Sequence, residues 1–472
     1  MTELIHTRTP SPILITLAAA TLTASLGTSI ASVLLPVLAR TFSATVSDVQ
    51  WVVLAYLMSV TLTIVSVGRL GDLLGHRRVL IYGLIIFVAA SVLCAMAPSL
   101  WLLVTGRVLQ GLGGAILIAL PMSLARDLVP SERLGTAMGL LGTTSAVGTA
   151  LGPSLGGLLL TWGEWPMAFW LLAGFGGATL GLALIAITQK PERRNVSYRE
   201  MDFPGTIVLM VVLLAYSLAT SGGAAGIPMS PLLLISVAAL AVLLFAGVET
   251  RAPFPLVPIS LLQDRRTCLG FVMNVAVGTF MMSTLVVGPF FLAFSLGLTE
   301  ALTGMVMAVG PVVAAFSGVP AGRLTDRLGA KRVMVIGLVQ SMIGLLCLAY
   351  LPRAFGVGGY VAALVVLTPA FQLFLAANNT AALLDATDEN RGRLSGLLGL
   401  SRNLGLMTGA SAMSTLFVTV LGTGDTTQAS AGEIANAFSI TFTAAALLAL
   451  TTLGMAIYSQ ATPARMASDP DP

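Results

Sequence analysis

The sequence predicts an all-α membrane protein: two six-helix bundles with a two-helix hairpin inserted between them, about fourteen transmembrane helices in all. Three observations predict it. Of 472 residues, 56% are hydrophobic and only 9% charged, against roughly 25% charged in an ordinary soluble domain, and the mean hydropathy is +0.94. Apolar stretches long enough to cross about 30 Å of hydrocarbon recur from end to end. A loop motif in the first half returns, in register, in the second.

Taken in order, charged or Gly/Pro-rich breaks delimit spans near 12–38, 50–68, 79–97, 101–125, 135–160, 166–188, 204–222, 231–249, 267–296, 301–321, 332–351, 358–380, 395–421 and 436–459. The first follows Arg8 and resembles a secretory signal, but its apolar run continues past Ala20 to Ala39, so an uncleaved helix is expected. Connections are short and leave no room for an extramembrane domain. The 49 glycines fit helices that pack backbone against backbone, because lipid offers no hydrophobic drive for their association. Cys94, Cys268 and Cys347 fall within spans, show no metal-ligand spacing and read as packing residues.

Orientation follows from the basic residues. Arg107 and Arg402 lie within spans and Arg40 and Arg353 in loops of one side; the other Lys and Arg residues, from Arg8 through Lys190 to Arg465, fall on the side of the termini. Both termini are therefore expected in the cytoplasm, with the chain in a bacterial inner membrane. The net charge of +4 reports this topology, not a nucleic-acid partner, because the cations form no single patch.

The repeated motif is Gly68-Arg69-Leu70-Gly71-Asp72-Leu73-Leu74-Gly75-His76-Arg77-Arg78, which returns as Gly322-Arg323-Leu324-Thr325-Asp326-Arg327-Leu328-Gly329-Ala330-Lys331-Arg332. Each copy follows the second span of its half. The division is 1–190 for the first bundle, 191–262 for linker and hairpin, and 263–472 for the second bundle with its tail, an arrangement that places substrate sites between the repeats near mid-membrane.

Two spans carry further motifs. The fourth contains Leu103-Val104-Thr105-Gly106-Arg107-Val108-Leu109-Gln110-Gly111-Leu112-Gly113-Gly114-Ala115, where Arg107 and Gln110, three apart, share a face. An arginine inside a membrane costs at least ~2.5–3.5 kcal/mol and must face the bundle interior with partners. The fifth contains Gly148, Gly152, Gly156 and Gly157 around Pro153, which allows a neighbouring helix close and bends the span.

With these motifs the chain resembles, over essentially its whole length, the fourteen-span drug:proton antiporter branch of the major facilitator superfamily. The resemblance implies the major facilitator fold and alternating access, and a multidrug-efflux type of secondary transport coupled to protons. It implies that the loops around Asp72 and Asp326 act as cytoplasmic latches, the alternative being loops that only retain positive charge inside. It implies a part for Arg107 in proton coupling or substrate handling, the alternative being a buried arginine satisfied by helix carbonyls. It implies an exporter, not an importer, from the Gly-Pro…Gly-Gly pattern of the fifth span, the alternative for the glycines being ordinary small-residue packing.

At one position the sequence departs from that pattern. Where the family has an acidic residue in the first span, this chain has Gly27, within Leu26-Gly27-Thr28-Ser29-Ile30-Ala31-Ser32-Val33-Leu34-Leu35-Pro36. No Asp or Glu lies near the middle of a predicted span; Asp48, Glu164, Glu249 and Glu300 come nearest. The deep polar groups expected along a substrate or proton path are Arg107, Gln110, Asn274, Asn378, Asn379, Arg402 and Asn403. Such a path favours neutral amphiphiles or organic anions over lipophilic cations. The only histidines, His6 and His76, lie outside the core. Trp51, beside Gln50 and near Tyr56, reads either as cavity wall or as interface anchor. Met281-Met282 and Met305–Met307 read either as an adaptable pocket or as helix packing.

There is no nucleophile triad, metal-ligand cluster or nucleotide loop, so neither an enzyme nor an ATP-driven pump is expected, and no cofactor or metal. The expected partners are a small-molecule substrate, the lipid bilayer and protons, for a chain acting as a monomer. The alternatives are an exchanger of organic anions or neutral metabolites without classical proton coupling, and a transporter-like sensor that carries no flux.

Overall fold

Helix is the secondary structure throughout the described residues, as hydrocarbon surroundings require: each backbone N–H and C=O must be satisfied within its own segment. The computed structural model describes residues 12–128, 131–187, 203–220, 231–252, 264–384, 388–422 and 429–461.

The first half comprises α1 (Pro12–Thr41), the single turn α2 (Val46–Val49), α3 (Trp51–Leu74), α4 (His76–Ala95), α5 (Leu100–Leu128), α6 (Ser131–Trp162) and α7 (Pro166–Ala186). Next come α8 (Phe203–Thr220) and α9 (Pro231–Glu249). The second half comprises α10 (Arg265–Phe290, continued by a π-turn Phe291–Ser295), α11 (Glu300–Leu328), α12 (Ala330–Leu384), α13 (Asp388–Thr408, continued by a π-turn Gly409–Met413), α14 (Ser414–Leu421) and α15 (Ala431–Ala461). Among the described residues, ten helical stretches are long and apolar enough to cross a membrane, with shorter apolar helices at Pro204–Thr220 and Ser236–Glu249. The protein is thus all-helical and multi-pass.

The α12 segment carries two of the predicted spans. At about 1.5 Å per residue its 55 residues would reach far beyond a bilayer if straight. It folds back at Gly356, whose φ of 55° is the left-handed region that glycine adopts without penalty. Gly337 abuts Phe374, Gly344 abuts Leu367 and Gly359 abuts Leu351, so the arms run antiparallel with glycines every turn or two at their seam.

The sequence repeat is also a repeat of backbone geometry. Gly75 (φ 90°) joins α3 to α4 and Gly329 (φ 82°) joins α11 to α12, each donating its N–H to the carbonyl four residues back. Both helix pairs turn without a loop because a glycine stands where the chain enters positive φ.

In the first half α1 packs along α6 and α5 along both α3 and α4, while α7 closes against α4 and α1. The second half repeats this with α10 on α13, α12 on α15 and α11 on α12. Between halves the main seam is α6 on α11, flanked by α1 on α10 and α3 on α13. The α8–α9 pair docks through α8 onto α3 and α13, where the Tyr216 hydroxyl lies 2.6 Å from Thr408 Oγ1 and Thr220 Oγ1 donates to Ser411 Oγ at 2.7 Å. Leu233, Leu240 and Leu243 of α9 are left exposed on the outer surface.

Several boundaries differ from expectation. The second span is preceded by the turn α2, held by a capping box in which Asp48 accepts from the Thr45 amide and hydroxyl, and it runs on to Leu74. The thirteenth begins at Asp388 and is interrupted by the π-turn at Gly409. The expected division points at 190/191 and 262/263, like both termini, lie outside the described residues. Cys94 is buried and Cys268 and Cys347 are half-buried, all three as free thiols.

Candidate functional site

Arg107 of α5 is the largest side chain wholly withdrawn from solvent. It stays charged there because acceptors from three helices converge on it. Its Nε donates to Val52 O of α3 at 2.8 Å and its Nη1 to Gly27 O of α1 at 3.0 Å. Nη1 also donates to Gln110 Oε1, one turn along α5, and the guanidinium stacks 4.2 Å from the Tyr56 ring centroid. The network continues: Gln110 Nε2 donates to Ser91 Oγ at 2.7 Å, and the Tyr56 hydroxyl donates to Ala24 O at 3.0 Å. Only Nη2 lacks a partner. Glycines make the crowding possible, since a Cβ at Gly114 would strike the Tyr56 hydroxyl and one at Gly111 would strike Tyr56 O.

Gly27, the departure from the family pattern, belongs to this cluster. A Cβ there would sit 3.0 Å from Phe87 Cζ and 3.5 Å from the hydroxyl of Tyr56, whose ring stacks on Arg107. The chain thus answers its buried cation with carbonyls and an amide, not with a carboxylate. Among the described side chains the only buried carboxylate is Glu249, at the last residue of α9 and far along the chain from this cluster.

The halves meet firmly at the end carrying the α1–α2 turn, here termed the upper face. Arg40 Nη1 lies 3.3 Å from Glu300 Oε1, and its guanidinium lies 4.6 Å from the Phe294 ring centroid, so one residue of the first half grips two of the second. Below it the glycine motif of α6 splits its duties. Gly148, Gly152 and Gly156 face α1, against Ser25, Ser29 and Val33 respectively. Gly157 faces the other half, where a Cβ would come within 2.8 Å of Glu300 O and of Gly304 Cα. Further down, Thr61 Oγ1 of α3 lies 3.7 Å from Met407 Sδ of α13.

The opposite, lower face carries the repeated turns. Arg323, Asp326, Lys331 and Arg332 are exposed. Arg78 is exposed too, while Arg77 Nε donates to Ile187 O at the end of α7. Arg69 and Asp72 are on the last turns of α3, as is Gly68, but their side chains lie outside the described residues. Gly322 has open space where a side chain would project.

The remaining predicted polar residues gather where α10, α12 and α13 meet. Asn274 Nδ2 donates to Leu398 O and Ser401 Oγ, both at 2.9 Å, leaving its Oδ1 without a partner. Asn378 is buried beside Gly270, with its Nδ2 unpartnered. One amide acceptor and one amide donor are therefore unspent in this cluster. The Arg402 side chain is exposed, and its carbonyl abuts Gly278 of α10. Asn403 is half-buried and Asn379 exposed. The structure thus separates the predicted residues into a sealed group, Arg107 with Gln110, and a second-half group with spare hydrogen-bonding capacity.

Sequence reasoning missed the Arg40–Glu300 pair and the parts played by Tyr56 and Ser91. Arg40 and Glu300 are 260 residues apart, and nothing in their local patterns links them. Trp51 and Gln50 are both buried at the top of α3, against the interface-anchor reading, and both carry unpartnered polar atoms. Met305 is exposed and Met307 buried, as on an ordinary packed helix.

Comparison with known proteins bears on this arrangement. The model of the Major Facilitator Superfamily matches residues 17–262 and 268–471. Over 391 residues the chain is 31% identical to the uncharacterized transporter YebQ of Escherichia coli, covering 82% of this chain and 84% of that one. It is 28% identical to the riboflavin transporter RibZ of Clostridioides difficile, with 82% and 84% covered, and 27% identical to the multidrug resistance protein Stp of Mycobacterium tuberculosis, with 82% and 72% covered. Among solved structures it superposes on the nucleoside transporter NupG with a TM-score of 0.66 at 14% identity, covering 94% of this chain and 99% of that one. The peptide transporter POT gives a TM-score of 0.71 at 14% identity, with 94% of each chain covered.

Proposed function

We propose that this chain, which belongs to the Major Facilitator Superfamily and is a membrane transporter and not an enzyme, exports small amphiphilic molecules across the bacterial inner membrane by proton-coupled antiport. The observation that carries the reading is the asymmetry of the seam between halves. The upper face is tied by Arg40 to Glu300 and by Gly157 against Gly304, while the charged turn residues of the second half on the lower face stand exposed. A transporter that alternates access has one face closed and the other released at any moment.

On this reading the protein has fourteen spans. The ten long apolar stretches supply eleven once the arms of α12 are divided at Gly356, and α6, α8 and α9 supply the rest. The positive-inside pattern then puts the lower face and both termini in the cytoplasm, so the described state is open inward. The turns around Asp72 and Asp326 re-engage when that face closes. Arg107 with Gln110, and the group formed by Asn274, Asn378, Asn379, Arg402 and Asn403, line the substrate or proton path, the former becoming reachable only as the upper face opens. Protons use carboxylates outside the span centres: Asp72 and Asp326 below, Asp48 or Glu300 above.

A specific observation favours a second reading of the cargo. Arg402 is an exposed cation within a span of the second bundle, Arg107 is a buried one in the first, and no buried carboxylate among the described side chains lies in the spans of the two bundles. That charge balance suits organic anions or neutral metabolites. Purified protein in vesicles, followed for flux of cationic, neutral and anionic fluorophores with and without an imposed proton gradient, tests both readings. Gradient-dependent movement supports antiport, and its charge preference chooses the cargo. No flux for any compound would leave the sensor reading standing.

A further inference from the structure

Among the described residues two basic side chains stand at the tip of the upper face, Arg40 and Arg353, on the side where the positive-inside pattern disfavours them. Arg40 is answered by Glu300 and Phe294. Arg353 is exposed and pairs with no carboxylate among the described residues. It sits at the mouth of a groove of about 320 Å³ between the first arm of α12 and α15, on the outer surface of the second half.

The groove is graded. Arg353 and Asn436 give its upper end a cation and an amide, the Tyr350 hydroxyl accepts from Thr443 Oγ1 at 3.2 Å midway down, and Ile440, Ala444 and Leu447 supply its apolar lining. From Asn436 to Leu447 the helix descends about 16 Å, half of the roughly 30 Å hydrocarbon thickness and so the depth of one leaflet. Tyr350 and Leu447 are both more than half exposed along this face.

The geometry points to a bound phospholipid of the upper leaflet with an anionic headgroup: its phosphate on Arg353 and Asn436, one acyl chain in the groove down to Leu447. The bilayer supplies such a molecule at that depth, and its charge answers a cation that has no carboxylate partner among the described residues. The inference rests on the membrane orientation proposed above, not on the cargo.

The test uses the full chain in phosphatidylcholine vesicles doped with phosphatidylglycerol or phosphatidylcholine bearing a photoreactive acyl chain, with labelled peptides mapped after irradiation. The label from phosphatidylglycerol is expected on residues 436–447 of α15. In Arg353→Gln it is expected to fall about five-fold, the worth of one basic residue at an anionic surface. In Ala444→Trp, which fills the groove and leaves Arg353 in place, labelling by both lipids should drop. Equal labelling by the two lipids, an undiminished yield in Arg353→Gln, or no label in that segment would overturn the proposal. Flux measured on the same vesicles keeps the two readings apart, since loss of the lipid label with transport intact sinks only this inference.

Discussion

Arg107 donates to the carbonyl of Gly27 at 3.0 Å, so the residue that stands at the acidic position of the antiporter pattern is in this protein a hydrogen-bond acceptor for the buried arginine of another helix. The missing carboxylate and the retained cation are two sides of one site, and the first predictions concern it.

Arg107→Lys keeps the charge but offers a single ammonium to acceptors on α1, α3 and α5 that a planar fork reaches together. Flux is expected to fall at least ten-fold while the melting temperature stays within a few degrees. A parallel collapse of stability and flux would make Arg107 a structural residue. Flux and thermal unfolding on the same preparation decide it.

Gly27→Asp sets a carboxylate beside Arg107, whose Nη2 has no partner. The Cβ must displace the Phe87 ring by a few tenths of an ångström, at a cost of about 1–3 kcal/mol that the new ion pair offsets in part. The ratio of cationic to anionic fluorophore export should rise about five-fold. An unchanged ratio would show that charge at this site does not select cargo.

Gly157→Val forces α6 from α11, because its Cβ would lie 2.8 Å from Gly304 Cα. The upper face then cannot close, and flux should fall at least ten-fold with normal insertion. Cysteine accessibility near Arg40 should rise at the same time. Gly174→Val, at a position with open space around it, is the control and should behave as wild type.

Arg40→Glu breaks the pair with Glu300 and places like charges together, and Glu300→Arg does the same from the other side. The pair is exposed and worth at most about 1 kcal/mol, too little to unfold the protein but enough to shift a balanced two-state gate by several-fold. Each single variant should slow transport, and the double swap should recover at least half of it. Failure of the swap would assign the residues no gating role.

Asp72→Asn and Asp326→Asn remove the acid from each repeated turn. Each should cut flux several-fold without loss of expression. Normal flux in both would leave the turns with only a topological role.

Much of the fold was legible in the sequence because each span must satisfy its own backbone in lipid, which forces long apolar runs and leaves charges to mark the turns. The paired turns at Gly75 and Gly329 were legible for the same local reason: the positive φ at each is written in the glycine itself. Arg107 with Gln110 could be placed on one face of one helix by spacing alone. Their acceptors could not, since Val52, Gly27 and Ser91 come from three other helices and two of them contribute backbone that has no sequence signature.

The sequence by itself determined what is set within a single helix or turn: that the chain is helical and membrane-embedded, where it reverses, and which residues are too polar to face lipid. Only the tertiary structure decided what depends on which helices meet. It sealed Arg107 from open space, set Gly157 against the other half while its sister glycines faced α1, joined Arg40 to Glu300, and set Arg353 at the head of a groove. These are contacts between segments up to 260 residues apart, fixed by the packing of small residues over whole helix lengths, and no local pattern carries that information.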